Sequence, residues 1–363
     1  EMYRNFNDLA EAMRQMLART AVTYVLSFQP EVARDGTYHK VKVELVGDAA
    51  RGARVVARPG YYAPKPFDQK DGIARLLDAA DLVMSGRERA DFNTAAVASA
   101  FRGLEGRAYV PVLVEIDGPG LLRATEGMTL PAEIYGYAIA ADGSIADSFG
   151  QTLDLDLTKT RSALESRGLK FFGHLELPVG VYSIRVLSRN AKTGASALTT
   201  TSVSVPAALF AEVSADAIPP TVLSRPLFPE PMQSWPLVRE TPHGALTNEP
   251  YPFVDGERPF LPASRPALSM GKAIPIAIVA YDLAEEGALR LLAKVIAADG
   301  SEVAAAGSLA DVARVSSGEA GRDVLTANFV PSALKAGRYR LRISVVVGEG
   351  IAMESGDAAF EVR

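Results

Sequence analysis

The stretch YAIAADGSIADS, residues 137–148, returns as KVIAADGSEVAA at residues 294–305. In both, an apolar run closes on Ala-Asp-Gly-Ser. Asp142-Gly143 and Asp299-Gly300 therefore read as tight hairpin turns, made from residues that tolerate positive φ. A second pair keeps the same offset, LPVGVYSIRVLS from Leu177 and LKAGRYRLRISV from Leu334. A third, GRAYVPVLVEID from Gly106 and GKAIPIAIVAYD from Gly271, fits the same order with a small change in length. Two copies of one module explain all three pairs.

Each copy alternates short β-rich runs with turn signals and shows no convincing long helix, the pattern of an antiparallel sandwich. Tyr182 and Tyr339 stand two positions after Gly180 and Gly337 and lead into Ile-Arg-Val and Leu-Arg-Ile strands. This predicts a tyrosine corner in each copy, with the phenol bonded to backbone near a strand start, as in immunoglobulin- and fibronectin-like sandwiches. Such an architecture brings no ligand with it.

The bulk properties narrow the function classes. The chain has 363 residues, 48% hydrophobic and 22% charged, enough for two or three folded units. A formal net charge of -5, with Lys and Arg scattered, argues against nucleic acid as a partner. The absence of cysteine removes disulfides, thiolate metal sites and cysteine nucleophiles. The longest apolar run, Ala273 to Tyr281, falls far short of the roughly 20 residues of a membrane-spanning helix, so no membrane span is expected.

The first segment has a different character. NDLAEAMRQMLART from Asn7 places Leu9, Met13, Met16 and Leu17 at helical spacing, and VTYVLSF, YHKVKVELV and ARVVAR (Val22–Phe28, Tyr38–Val46, Ala53–Arg58) read as three strands. One helix and three strands bury too little to be secure alone, so this segment is expected to pack on something else. A helix leading into TYVLSFQP, then DGTYHKVKVELV, then VVARPGYYAP resembles the closing part of the von Willebrand factor A-related domain found in Acidobacterial proteins, over about residues 6 to 64. The resemblance implies an α/β, Rossmann-like domain whose beginning lies upstream of Glu1, in an exported protein. Relatives of that family bind partners through a metal held by an Asp-x-Ser-x-Ser motif. Here the nearest matches, from Asp142 and Asp299, lack the second serine, so no metal ligand or other cofactor is carried over. A divalent cation is expected only with an upstream motif.

The resulting map is mainly β: residues 1–64 the C-terminal α/β remnant of a von Willebrand factor A-type domain, 65–90 a connector helix, 91–206 a first β-sandwich, 207–266 a proline-rich inter-module segment and 267–363 a second β-sandwich. In the connector, Ile73, Leu76, Leu77, Ala80 and Met84 form the apolar stripe expected to pack on the next domain. Residues 206 to 266 hold 13 of the 23 prolines, which disfavours helix and central strand alike. The aromatics there argue that this segment is laid down on the sandwiches.

Catalytic chemistry finds little support. His39, His174 and His243 lie in separate segments with no metal-ligand spacing, and no nucleotide-binding or nucleophile-elbow motif occurs. Asp154 and Asp156 share one strand face, where a solvated surface explains them. The candidate interaction residues are Trp235, Tyr251 and Phe253, as an exposed recognition patch, and Arg338, Arg340 and Arg342, along one face of a strand. The expectation is a non-enzymatic exported or cell-surface protein serving protein–protein interaction or adhesion, its partner a protein or envelope component. The alternatives are a polysaccharide-binding accessory region of an extracellular hydrolase and a structural spacer.

Overall fold

The structure, a computed structural model, describes residues 13–14, 27, 35–47, 55–87, 89–211, 220–241, 251–256, 258–284, 287–317, 319, 321–349 and 352–363. The chain divides into two compact units, Glu1–Gln69 and Lys70–Arg363.

In the first unit, β1 (Tyr38–Lys40) pairs antiparallel with β2 (Gly60–Tyr62), setting Tyr38 against Tyr62 and His39 against Tyr61. Gly60 is obligatory, because a Cβ there would lie 2.3 Å from the His39 carbonyl oxygen. Two expectations are corrected. The Tyr38–Val46 run is a strand only over β1, and Val55–Arg58 is not strand. Val46 and Val56 are 85% and 87% exposed, so no apolar layer rewards longer pairing. The helix expected from Asn7 and the strand Val22–Phe28 lie outside the described residues, apart from Met13, Arg14 and Ser27.

The second unit is mostly β and contains both sandwiches. It opens with α1 (Gly72–Ser85), capped by the Asp71 carboxylate, which accepts from the Ala74 N–H at 2.8 Å. The stripe expected to be buried is the exposed one: Ile73, Leu76, Leu77 and Met84 face outward. Ala79 and Val83 pack instead on Ile139 and Leu187. Their small size allows close approach, and Asp78 on the same side pairs with the buried Arg189 at 3.1 Å.

The first sandwich comprises β3 (Arg89–Ala90), β4 (Thr94–Ala98), β5 (Ala108–Ile116), the short helix α2 (Gly118–Leu122), β6 (Thr129–Ala140), β7 (Ile145–Asp156), α3 (Leu157–Arg167), β8 (Leu169–Leu177), β9 (Gly180–Asn190) and β10 (Ser196–Val205). The inter-module segment supplies β11 (Val222–Leu223), β12 (Pro229–Pro231), β13 (Leu237–Arg239), β14 (Val254–Asp255) and β15 (Arg258–Pro262). The second copy comprises β16 (Ala267–Leu268), β17 (Ile274–Tyr281), β18 (Leu289–Ala297), β19 (Glu302–Val303), β20 (Gly307–Ser316), β21 (Arg322–Pro331), β22 (Gly337–Val347), β23 (Met353–Glu354) and β24 (Ala358–Val362). In the first copy a sheet ordered β3-β10-β9-β6-β7 faces one ordered β13-β8-β5-β4. In the second, β11-β17-β21-β20 faces β16-β24-β22-β18-β19.

The copies diverge after their shared hairpin. In the second copy β19 is brief and β20 crosses to pair with β21 in the opposite sheet. In the first, β7 stays beside β6 along its whole length, and α3 then returns the chain to β8. This helix corrects the all-strand expectation, and Asp156 is its N-cap, accepting from the Thr158 N–H at 3.0 Å. The edge of β8 is left without the strand that β20 provides in the other copy. β13 fills it, running parallel with Val238 opposite Phe171.

The repeated details match closely. Asp142 and Asp299 each accept from the backbone N–H two residues on, at Ser144 and Ser301, both at 2.9 Å. Gly143 and Gly300 hold φ of 85° and 89°. The Ser144 and Ser301 hydroxyls donate to the same carboxylates at 2.6 and 2.7 Å, and these bonds, with the backbone ones, hold both carboxyl pKa values below the ordinary range. The Tyr182 hydroxyl donates to the Pro178 carbonyl, and the Tyr339 hydroxyl to that of Lys335, each at 3.0 Å. Tyr182 is buried and Tyr339 is half-buried. Tyr182→Phe is therefore expected to lower stability by about 1 to 1.5 kcal/mol and Tyr339→Phe by less, read as shifts in urea midpoint.

Candidate functional site

The two sandwiches meet through the segment between them. Phe253 is 1% exposed and packs edge-on against Phe101 at 5.6 Å and Tyr251 at 5.6 Å, with Phe172 at 6.4 Å and Phe260 at 6.2 Å between ring centroids. One continuous core carries residues of β5 and β8, of the segment, and of β17 and β21. Arg102 strengthens the join: its backbone N–H donates to the Tyr281 hydroxyl at 3.1 Å and its guanidinium pairs with Asp282 at 2.5 Å. From the other side Arg322 donates to the Pro252 carbonyl at 2.7 Å and lies over the Phe101 ring.

A buried cation fixes the segment to β8. Lys170 is fully buried, and its ammonium meets Glu115 at 2.9 Å, Glu230 at 2.6 Å and the Pro262 carbonyl at 3.0 Å. Trp235 covers it, with the ammonium 4.8 Å from the ring centroid and the indole N–H donating to Glu230 at 2.8 Å. Just past β13, the Glu240 carboxylate accepts from the backbone N–H of the buried His174 at 3.1 Å.

The residues singled out in the sequence divide accordingly. Trp235 is half-buried on Lys170, Phe253 is core, and the Tyr251 hydroxyl donates to the Phe260 carbonyl at 2.8 Å. These aromatics are thus laid down on the sandwiches as expected, and Trp235, Tyr251 and Phe253 do not form the exposed recognition patch offered as the alternative, because the polar ends of the rings find protein partners. Arg342 pairs with Asp357 at 2.7 Å and Glu354 at 3.3 Å, and Arg340 with Asp357 at 3.2 Å. Arg338, exposed, turns to the space between the sandwiches. His39 stacks on Tyr61 in the first unit, His174 lies in the second, and His243 is outside the described residues. Among the described residues no three His, Asp or Glu side chains gather as metal ligands, and no helix is long and apolar enough to cross a membrane.

The space that Arg338 faces is a cleft of about 300 Å³ at the joint. Ala95 and Ala96 of β4 and Thr199, Thr200 and Thr201 of β10 form one wall, and Ala358, Ala359 and Glu361 of β24 the other. Thr199 and Thr201 are in phase with the buried Ala197 and Val203, yet both are half-exposed where they line the cleft. Arg225 and Arg265 complete the lining. Arg225 donates to the Ser202 carbonyl at 2.5 Å and to the Thr201 hydroxyl at 3.4 Å, and burial pulls its pKa below the ordinary value. Neither arginine stood out in the sequence. The overlooked signal is a repeated tripeptide, Ser-Arg-Pro, at residues 224–226 and 264–266. In each, the serine anchors to a strand: the Ser224 hydroxyl accepts from the Val279 N–H at 2.9 Å, and that of Ser264 donates to the Leu113 carbonyl at 3.0 Å.

No protein-family model matches the chain, and no curated protein matches it. Among solved structures it is similar to a family 123 glycoside hydrolase from Clostridium perfringens, at 18% identity and TM-score 0.19, over 27% of this chain and 22% of that one. The fibronectin(III)-like modules of Clostridium thermocellum CbhA align over 74% of this chain and 92% of theirs, at 10% identity and TM-score 0.17. The BSP domain of a biofilm-associated protein aligns over 79% of this chain and 54% of its own, at 10% identity and TM-score 0.21. The chain thus spans about a fifth of the hydrolase and about half of the biofilm-associated chain. Likenesses at these scores carry no argument about function.

Two outcomes test the joint. Phe253→Ala is expected to cost about 3 to 5 kcal/mol and to loosen both sandwiches, seen as lost amide protection in β8 and β21 alike. Burial raises the hydroxyl pKa values of Tyr251 and Tyr281. A raised folded-state pKa favours the protonated form, so this contribution is present below the unfolded value of about 10 and is lost as pH rises above it. The urea midpoint should fall between about pH 10 and 12, less steeply in Tyr251→Phe.

Proposed function

We propose that this chain belongs to a non-enzymatic exported protein in which a von Willebrand factor A-related domain is followed by two coupled sandwiches that present a protein-binding surface outside the cytoplasm. The observation that carries the binding role is the joint: the segment between the copies is built into both, giving a coupled pair with a preformed cleft of about 300 Å³ among its concave surfaces. A preformed surface binds without the cost of ordering two mobile modules. The family assignment and export rest on the spaced motifs of residues 6 to 64. The polar atoms of Trp235 and Tyr251 are taken up by Glu230 and the Phe260 carbonyl, which removes the two rings on which the polysaccharide reading relied.

Fractionation of the source cells tests export. The native protein is expected outside the cytoplasm, and crosslinkers placed at exposed positions of the second unit, such as Val181 and Leu292, are expected to join it to a second protein there. A product confined to the cytosol, or one that yields no crosslinked partner, would overturn the proposal.

A further inference from the structure

We infer that the cleft between the sandwiches is a binding site for a short extended peptide carrying carboxylate side chains. The inference rests on the protein-binding reading above and names the chemistry of the partner. Among the described residues, three arginines line the cleft, Arg225, Arg265 and Arg338, against one carboxylate, Glu361. On a chain of net charge -5 this is a local excess of positive charge. Among the described residues, neither Arg265 nor Arg338 has a hydrogen-bond or ion-pair partner, whereas Arg340 and Arg342, next along the same strand face, are both neutralised by Asp357. Unpaired guanidiniums around a concave surface suit carboxylates, which they bind through two parallel N–H donors.

The backbone adds a second, independent feature. Among the described residues, β10 is paired on its outer edge at Ala197 and Leu198 alone, by β3. Ser196 and Ser202 both present carbonyls to that edge, one accepting from the Asp91 N–H at 3.0 Å and the other from Arg225 at 2.5 Å. Backbone groups two residues apart point the same way along a strand, so the N–H and C=O of Thr200 turn to this edge as well, where Thr200 lines the cleft. An open strand edge is a template for an added strand, and flanking side-chain contacts select its sequence. The aromatic rings in the lining, Phe228 and Phe360, are each only 3% exposed, so the cleft lacks a stacking platform for a sugar. A peptide whose backbone follows β10 and whose acidic side chains reach Arg265 and Arg338 uses both features.

Fluorescence anisotropy of the purified chain with a labelled octapeptide alternating glutamate and valine tests this. Binding is expected to be about ten-fold tighter than for the glutamine–valine peptide and to weaken from about 0.05 to 0.3 M salt. The double variant Arg265→Gln/Arg338→Gln, which removes no hydrogen bond or ion pair of either guanidinium among the described residues, is expected to keep the parent melting temperature and lose at least about ten-fold in affinity. Equal affinity for the glutamate and glutamine peptides, an unchanged affinity in the double variant, or binding of a sulfated tetrasaccharide with none of the peptide would each overturn the inference. Partner crosslinks in cells that survive the double variant would confine that failure to the cleft and leave the protein-binding reading standing. Their absence in the parent protein would remove both.

Discussion

The open edge of β8 is the constraint on which the second unit depends. Because β7 remains with β6 and α3 carries the chain back, the β8-β5-β4 strands of the first sandwich would by themselves end on an almost entirely buried strand with unpaired backbone. Buried N–H and C=O groups left without partners are costly, so a strand must come from elsewhere. β13 provides it, and to reach β8 the segment has to cross the joint between the copies. Its aromatics are then laid against both sandwiches, and the two modules become one body.

Charge reinforces the arrangement where burial alone would leave it degenerate. Lys170 has no exposure and is met by carboxylates from β5 and β12 and by a carbonyl from β15. Burying these ions is expensive, and such clusters are weak contributors to net stability. Their geometry nevertheless disfavours alternatives, since a segment shifted by one residue would strand the ammonium. Arg189 acts similarly for α1, meeting Glu133 and Asp78, and this selects the Ala79–Val83 face over the more apolar stripe read from the sequence.

The repeat made the sandwiches legible. Matching Asp-Gly-Ser turns and matching tyrosines are local devices, each closing within five residues, and local devices survive translation from pattern to structure. What escaped was relational. Nothing in Leu237–Arg239 announces a parallel partner for β8, because its three residues carry no period and its neighbours are prolines. The aromatics of the segment read as packed on the sandwiches, but composition leaves an exposed patch at Trp235 and Tyr251 open as the alternative, because it does not reveal that Glu230 and the Phe260 carbonyl wait for their polar atoms. Of the arginine triplet on β22, sequence gave all three the same standing, and only the positions of Asp357 and Glu354 separate Arg338 from the others. The Ser-Arg-Pro repeat was visible, but its meaning needed the fold that brings its two copies to one cleft.

The claim that the sandwiches form one cooperative body is tested most directly by native-state hydrogen exchange followed by mass spectrometry at increasing urea. If the inter-module segment unites them, the core amides of β5 and β8 and those of β17 and β21 should share one opening free energy and one urea dependence. Exchange of β17 and β21 at urea concentrations that leave β5 and β8 protected would show two independent modules and contradict the account.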